Sequence, residues 1–363
     1  MSSAPGHGQP PKAAHSVTRV GIPTRKRPLA AAPVEGPLVD TYGRVHTDLR
    51  ISVTDRCNFR CSYCMPSEDM TWLPRDGILS YEEIERVARV LKGLGVTAVR
   101  LTGGEPLVRA DLPVLVRKLS ALGFEDISLT TNGVGLPHLA PALANAGLRR
   151  VNVSCDSLDR ERFKSITRRD ALDAVLEGMG AADAAGLAPV KVNVVLMRGV
   201  NDDEVVDFAA FARETGRPVR FIEYMPLDAA HAWERPDVVP GQEILERIDA
   251  TFPLEPIGSR DDDPAPADRY RFVDGYGEIG VITSVTNNFC GTCNRLRLTA
   301  DGALRNCLFA TQESSVRDLL RSGASDADLE ALCRQVVWSK AAGHGIDTPG
   351  FTPPERSMSQ IGG

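Results

Sequence analysis

The 363-residue chain contains no run of about 18 apolar residues, the length a helix needs to cross a bilayer, so nothing in it is built to span a membrane. Its N-terminus lacks the apolar core of a secretory signal, which disfavours export. No cysteine precedes Cys57, and without an export signal the eight cysteines point to metal or redox chemistry in place of disulfides. A basic excess is missing too. Lys and Arg number 42 against 48 Asp and Glu, a net charge of -6, which argues against a generic nucleic-acid or anionic-membrane binder. Acid is absent from residues 1–34, which hold Lys12, Arg19, Arg25, Lys26 and Arg27, so the rest of the chain is more acidic than the total shows. No repeat of fixed period is present. This length corresponds to roughly two domains and buries about three quarters of the unfolded surface, so no covalent staples are needed.

Residues 1–43, rich in Pro, Gly, Ser and Ala, read as a disordered basic leader. A transit peptide is the competing reading, but the segment lacks an amphipathic helical pattern. Beyond it, β-branched runs at 49–54, 96–101, 126–130, 149–154, 189–196 and 218–224 predict strands. Between them, helical periodicity covers 110–122, 136–146, 170–185 and 201–215, and Ser80 with Glu83 makes a capping box that starts another helix. Strand–helix alternation implies parallel strands with crossover helices. About six such units fall short of a closed eight-fold barrel, so the expected fold is α/β, an incomplete (βα)6 TIM-like barrel over residues 44–234. A C-terminal extension over 235–363 follows, with a helix near 241–251, a Pro- and Asp-rich loop at 255–268, strands at 268–273 and 278–285, and helices at 313–321 and 326–340.

Cys57, Cys61 and Cys64 follow the first predicted strand. Three thiolates in eight residues can wrap one small inorganic centre, and the C-terminal end of a strand is where such barrels place chemistry. Structural zinc is the alternative, but it takes four protein ligands and no fourth Cys or His stands nearby. Cys290, Cys293 and Cys307 form a second set, which by itself reads equally well as a zinc knuckle with Cys333 as fourth ligand. Cys155 and Cys333 otherwise read as small buried hydrophobes.

The C-x3-C-x2-C loop, with Gly103-Gly104-Glu105-Pro106 after the second strand, resembles the signature of radical S-adenosylmethionine (SAM) enzymes. Joined to the second cysteine set, to Arg295 and Arg297 and to the terminal Gly362-Gly363, the pattern is similar to one branch, the MoaA-type GTP 3',8-cyclases of molybdenum-cofactor biosynthesis. The resemblance runs from about Arg44 to Gly363. It implies two [4Fe-4S] clusters, one on each cysteine set, and SAM contacts from Tyr63, Gly103, Gly104, Glu105, Ser154 and Met225. From sequence alone Met225 would be read as core packing. The implied substrate is GTP. Arg50, Arg100, Lys191 and Arg220 lie on or beside four different strands, where one alone would read as a salt-bridged or solvated base but together they suit a polyanion. They match basic positions the family uses for GTP, as Thr130 matches a GTP-contacting one. Ala98 departs from the family, where a lysine is common. Arg295 and Arg297 would position substrate or quench a radical, although an Arg-Leu-Arg-Leu strand by itself reads as an alternating solvent face. Gly362 and Gly363 would form a tail thin enough to enter the site.

The implied reaction turns GTP into (8S)-3',8-cyclo-7,8-dihydroguanosine 5'-triphosphate through a 5'-deoxyadenosyl radical. The resemblance also implies an electron donor such as flavodoxin or ferredoxin, a downstream cyclic pyranopterin monophosphate synthase and a homodimer. Oxygen-sensitive clusters imply the cytoplasm, or an organelle if residues 1–43 are a transit peptide. The rival readings are a peptide-modifying radical SAM maturase with an auxiliary cluster and a non-catalytic zinc-binding scaffold.

Overall fold

Alternation along the strands decides the architecture. In β1 (Asp48–Ser52) Leu49 and Ile51 are fully buried, as are Val99 and Leu101 in β2 (Ala98–Thr102). The same alternation continues through β3 (Asp126–Thr131), β4 (Arg150–Ser154), β5 (Val190–Leu196) and β6 (Val219–Glu223). These apolar side chains join one core with the faces of α1 (Tyr81–Gly93), α2 (Leu112–Ala121), α3 (Leu136–Ala146), α4 (Arg160–Thr167), α5 (Leu172–Ala184) and α6 (Val205–Thr215). Helix α1 starts at the Ser80/Glu83 capping box and buries Ile84, Val87, Ala88 and Leu91, an i, i+3, i+4, i+7 stripe. The computed structural model describes residues 31–65, 68–228, 232–258 and 264–362.

Strands β1 to β6 are parallel and adjacent in chain order, as expected of a partial barrel. The later strands extend that same sheet. They are β7 (Leu254–Pro256), β8 (Asp268–Phe272), β9 (Glu278–Ile282), β10 (Arg295–Leu298), β11 (Ala303–Arg305) and β12 (Ser314–Ser315). β9 joins β6 and β10 joins β1, both parallel, so each edge of the six-strand array gains a strand from the C-terminal region. The remaining helices are α7 (Gly241–Asp249), α8 (Val316–Arg321), α9 (Asp326–Trp338) and α10 (Met358–Ile361). Glu223, at the end of β6 and 0% exposed, pins this extension in place. Its carboxylate accepts from the Gly241 N–H at 2.9 Å, the Val285 N–H at 2.7 Å and the Thr286 N–H at 2.9 Å.

Two expectations change. The leader assigned to 1–43 lies outside the described residues up to residue 30, but its last part is structural: Leu38 is 1% exposed and Asp40 2%. Asp40 accepts from Arg44 Nε at 2.6 Å and lies 3.1 Å from His46 Nε2. The helix expected over 170–185 is preceded by α4, which Asp159 caps by accepting from the Arg162 N–H. No described helix is long and apolar enough to cross a membrane.

Candidate functional site

If the outer rows of the sheet are apolar, the inner rows are free to be polar, and they are. Arg297, Arg50, Arg100, Ser128 and Arg150 share one register row across β10, β1, β2, β3 and β4. Thr130, Asn152 and Lys191 form a second row, and Ser154, Asn193, Arg220 and Gly280 a third. Charged side chains pointing into a closed apolar interior would be costly without a partner. They meet instead a cavity of about 290 Å³, at whose wall stand Arg50, Arg100, Thr130, Ser154, Arg220, Arg295 and Arg297. Tyr63, Gly103, Gly104, Glu105 and Met225 line it as well, as do all six cysteines of the two sets. The Arg-Leu-Arg-Leu strand is therefore no solvent face: Arg297 is 4% exposed while Leu296 and Leu298 pack into the core.

The Cys57–Cys64 loop leaves β1, and the Gly103-Gly104-Glu105 segment leaves β2 directly beside it. The Gly104 N–H donates to Thr54 O and the Glu105 N–H to Arg56 O, each at 2.7 Å. A Cβ on Gly104 would lie 2.4 Å from Arg56 O, so the paired glycines let two backbones touch. Glu105, 2% exposed, accepts from Thr131 Oγ1 at 2.6 Å and the Asn132 N–H at 2.7 Å. Burial nonetheless raises its carboxyl to about 7. Tyr63 donates to Asp156 Oδ2 at 2.6 Å, and burial lifts Asp156 to about 6.

The thiols carry the test of fit for an inorganic centre. All are free of disulfides. Burial pushes Cys57 up to about 11, Cys64 up to about 12 and Cys61 well above the ordinary thiol range. Thiolates at such buried positions would require a cationic centre to neutralise them, and an iron–sulfur cluster is one that does so. At the second set, burial works to raise Cys293 but Arg295 and Lys340 outweigh it and bring the thiol down to about 6. Lys340 Nζ donates to Cys293 Sγ at 3.3 Å and to Arg295 O at 3.0 Å. Arg44 binds this loop from the N-terminal segment, donating to Cys290 O at 2.6 Å and Ala341 O at 2.6 Å. Among the described residues no three His, Cys, Asp or Glu side chains converge on a point that one metal ion would fill.

The bases are set for an anion. Arg50 Nε, Arg100 Nε and Arg295 Nε are buried without a hydrogen-bond partner among the described residues. Burial lowers Arg50 to about 9 and Arg100 to about 10, with other cavity arginines adding to the effect at each. Lys191 departs from expectation: it lies on β5 outside the cavity lining, where burial and Arg220 lower it to about 8. Ala98 sits in register between Asp48 and Asp126, and Asp126 is ion-paired with Arg150, so two carboxylates flank this position. Gly362 reaches the barrel: its carbonyl accepts from Arg297 Nη1 at 2.5 Å, and a Cβ there would lie 2.6 Å from Thr102 Oγ1. Gly363 lies outside the described residues. Cys155 and Cys333 are each 1% exposed in the core, and Cys333 is not among the residues lining the cavity that holds the second set.

Sequence reading missed Asp156, Asn193, Phe289 and His344, which also line the cavity, and Lys340 beside it. Only the Asn-Val-Ser-Cys-Asp context offered a signal, for Asp156.

A model of the radical SAM superfamily matches residues 51–212 and one described as Molybdenum Cofactor Synthesis C matches residues 218–346. A GTP 3',8-cyclase of Mycolicibacterium smegmatis is 49% identical over 361 residues, covering 96% of this chain and 100% of that protein. One from Streptomyces coelicolor is 51% identical over 328 residues, covering 90% and 96%. The chain belongs to the GTP 3',8-cyclase family of radical SAM enzymes. That family binds SAM and a [4Fe-4S] cluster, and the match includes the Cys57–Cys64 loop. Among solved structures, native anSMEcpe with bound AdoMet superposes with a TM-score of 0.52 at 14% identity, covering 82% of this chain and 92% of that one. Streptococcus suis SuiB bound to S-adenosylmethionine gives 0.53 at 15%, covering 82% and 68%. These two likenesses concern the fold.

Proposed function

We propose that this chain cyclises GTP to (8S)-3',8-cyclo-7,8-dihydroguanosine 5'-triphosphate, an early step of molybdenum-cofactor biosynthesis. One observation carries the reading: a single cavity wall holds two cysteine sets together with Arg50, Arg100 and Arg295, whose Nε groups lack hydrogen-bond partners among the described residues. Cys57, Cys61 and Cys64 hold one [4Fe-4S] cluster beside Tyr63, Gly104, Ser154 and Met225, which contact SAM. Cys290, Cys293 and Cys307 hold a second, and the purine edge of GTP binds there. When bound, SAM and its cluster supply a 5'-deoxyadenosyl radical able to take the ribose 3' hydrogen. The chain's own residues do the rest. Arg50, Arg100 and Arg220 grip the triphosphate, since guanidinium groups pair with phosphate oxygens in bidentate fashion. Holding base and phosphates at once restricts the nucleotide to the conformer in which its own C3' faces its own C8. Arg297 and the Gly-Gly tail close the site around the sugar.

On this reading residues 44–234 form the SAM barrel and 235–363 the cluster-bearing extension. The reaction draws electrons from a flavodoxin- or ferredoxin-like donor and passes its product to a cyclic pyranopterin monophosphate synthase, with the enzyme as a cytoplasmic homodimer. The relatives are bacterial, and nothing in them supports the organellar alternative. Anaerobic reconstitution followed by turnover with GTP and SAM tests the proposal. About eight irons per chain and a cyclic nucleotide are expected. Zinc in place of iron, or 5'-deoxyadenosine with no cyclic product, overturns it.

A further inference from the structure

The last residues cross the whole site. Ser359 hydrogen-bonds the Cys64 thiol, Gly362 O meets Arg297, and the turn between them, α10, starts at a Ser357/Gln360 capping box. Residues 357–362 carry no charge, so the charged residue nearest the tail in sequence is Arg356. Its guanidinium grips Asp301 with both ends of the fork, Nη1 to Oδ1 at 3.1 Å and Nη2 to Oδ2 at 2.8 Å, and Nη2 also donates to Glu313 Oε1 at 2.5 Å. Glu313 accepts in turn from Arg305 Nη1 at 2.7 Å, and Asp301 from Thr299 Oγ1 at 2.5 Å. Arg305 is 2% exposed and stands two residues before Cys307. The β10–β11 hairpin thus holds the tail twice, through Arg356 near its tip and through Arg297 on its strand.

We propose that Arg356 is a positioning residue, a latch that fixes the tail through Gly362 against the hairpin that bears Arg297 and leads to Cys307, and so couples radical formation to cyclisation. A bidentate charged clamp, partly shielded from water, loses about 10- to 100-fold in closed fraction when the fork is removed. This inference rests on the cyclase reading, so its test keeps the two apart.

Arg356→Gln is compared with wild type by hydrogen exchange of the Ser359–Gly362 amides, by iron content, and by the ratio of cyclic nucleotide to 5'-deoxyadenosine. The expected result is faster tail exchange and a ratio lowered about tenfold or more, with iron content and 5'-deoxyadenosine formation retained. Arg356→Lys restores part of the ratio, and Asp301→Asn with Glu313→Gln reproduces the loss from the other side. A wild-type enzyme that makes no cyclic product overturns the cyclase reading. An Arg356→Gln enzyme with wild-type tail protection, or with a wild-type ratio beside an active wild type, overturns the latch alone.

Discussion

Replacing Gly362 by alanine probes tail docking at its tightest point. The residue has φ of +79°, in the left-handed region, where an L side chain costs about 1–2 kcal/mol. The new Cβ would lie 2.6 Å from Thr102 Oγ1 and 2.9 Å from Ser52 Cβ, both on strands of the barrel wall. Overpacking of this kind costs about 1–3 kcal/mol. Together, about 2–5 kcal/mol shifts the docked fraction by roughly 30-fold to 4,000-fold. Undocking also breaks the 2.5 Å bond between Arg297 and Gly362 O and leaves a guanidinium 4% exposed without that acceptor. The assay is anaerobic turnover with GTP and SAM, in which 5'-deoxyadenosine and cyclic nucleotide are counted separately. The variant should still cleave SAM while its yield of cyclic product falls at least about tenfold. Deleting Gly362 and Gly363 should act in the same direction. A Gly362→Ala enzyme that keeps the wild-type ratio would refute the docking argument.

Cys57→Ala and Cys290→Ala should each leave about four irons after reconstitution; only the second should retain 5'-deoxyadenosine formation, and equal loss in both would contradict a division of labour between the two sets. For Glu105, burial places the folded carboxyl at about 7 against an ordinary value of 4.5. Its pKa is raised, so between those values the folded chain binds the extra proton and stability falls as pH rises. Asp156, raised to about 6, acts in the same sense. Urea unfolding of the cofactor-free chain should show that slope, and Glu105→Gln should flatten it; an unchanged slope would show that the buried carboxyl does not control it. Arg50→Leu with Arg100→Leu should weaken GTP binding about 10- to 100-fold by calorimetry, yet raise the melting temperature of the ligand-free chain, because buried guanidinium groups cost more than apolar residues of similar size. A lower melting temperature would mean that these arginines stabilise the fold itself.

Local patterns made much of this legible. The strands expected at 126–130 and 149–154 are β3 and β4, and the helix expected over 136–146 is α3, because each follows from a short apolar period closed by a glycine or a polar turn. The Cys loop and the Gly-Gly-Glu segment were readable for the same reason. What escaped depends on pairing between distant residues. Arg295 and Arg297 alternate with leucines as a surface strand does, and only the alignment of β10 on β1, with Arg297 opposite Arg50, turns them inward. Lys191 has the right chemistry but is not among the cavity-lining residues, although Thr130 of the same register row is. Lys340 had no local signal at all, since its partner Cys293 lies 47 residues away. Asp40, read as leader, is fixed by Arg44 and His46 into a network that carries Arg44 to the Cys290 loop.

The charge balance acquires a different meaning from this register. Arg50, Arg100, Arg150, Arg220, Arg295 and Arg297 belong to inner rows or the cavity wall, while the carboxylates aligned with them on β1 and β3 are Asp48 and Asp126. A chain with net charge -6 that concentrates bases inside must carry its acidic surplus elsewhere. Like-charge repulsion over that acidic remainder disfavours polyanions there, and the low-dielectric walls of the cavity focus the attraction of the buried bases. On the cyclase reading, a cavity of about 290 Å³ suits one small polyanion, because a long one cannot bring all of its phosphates to the buried bases.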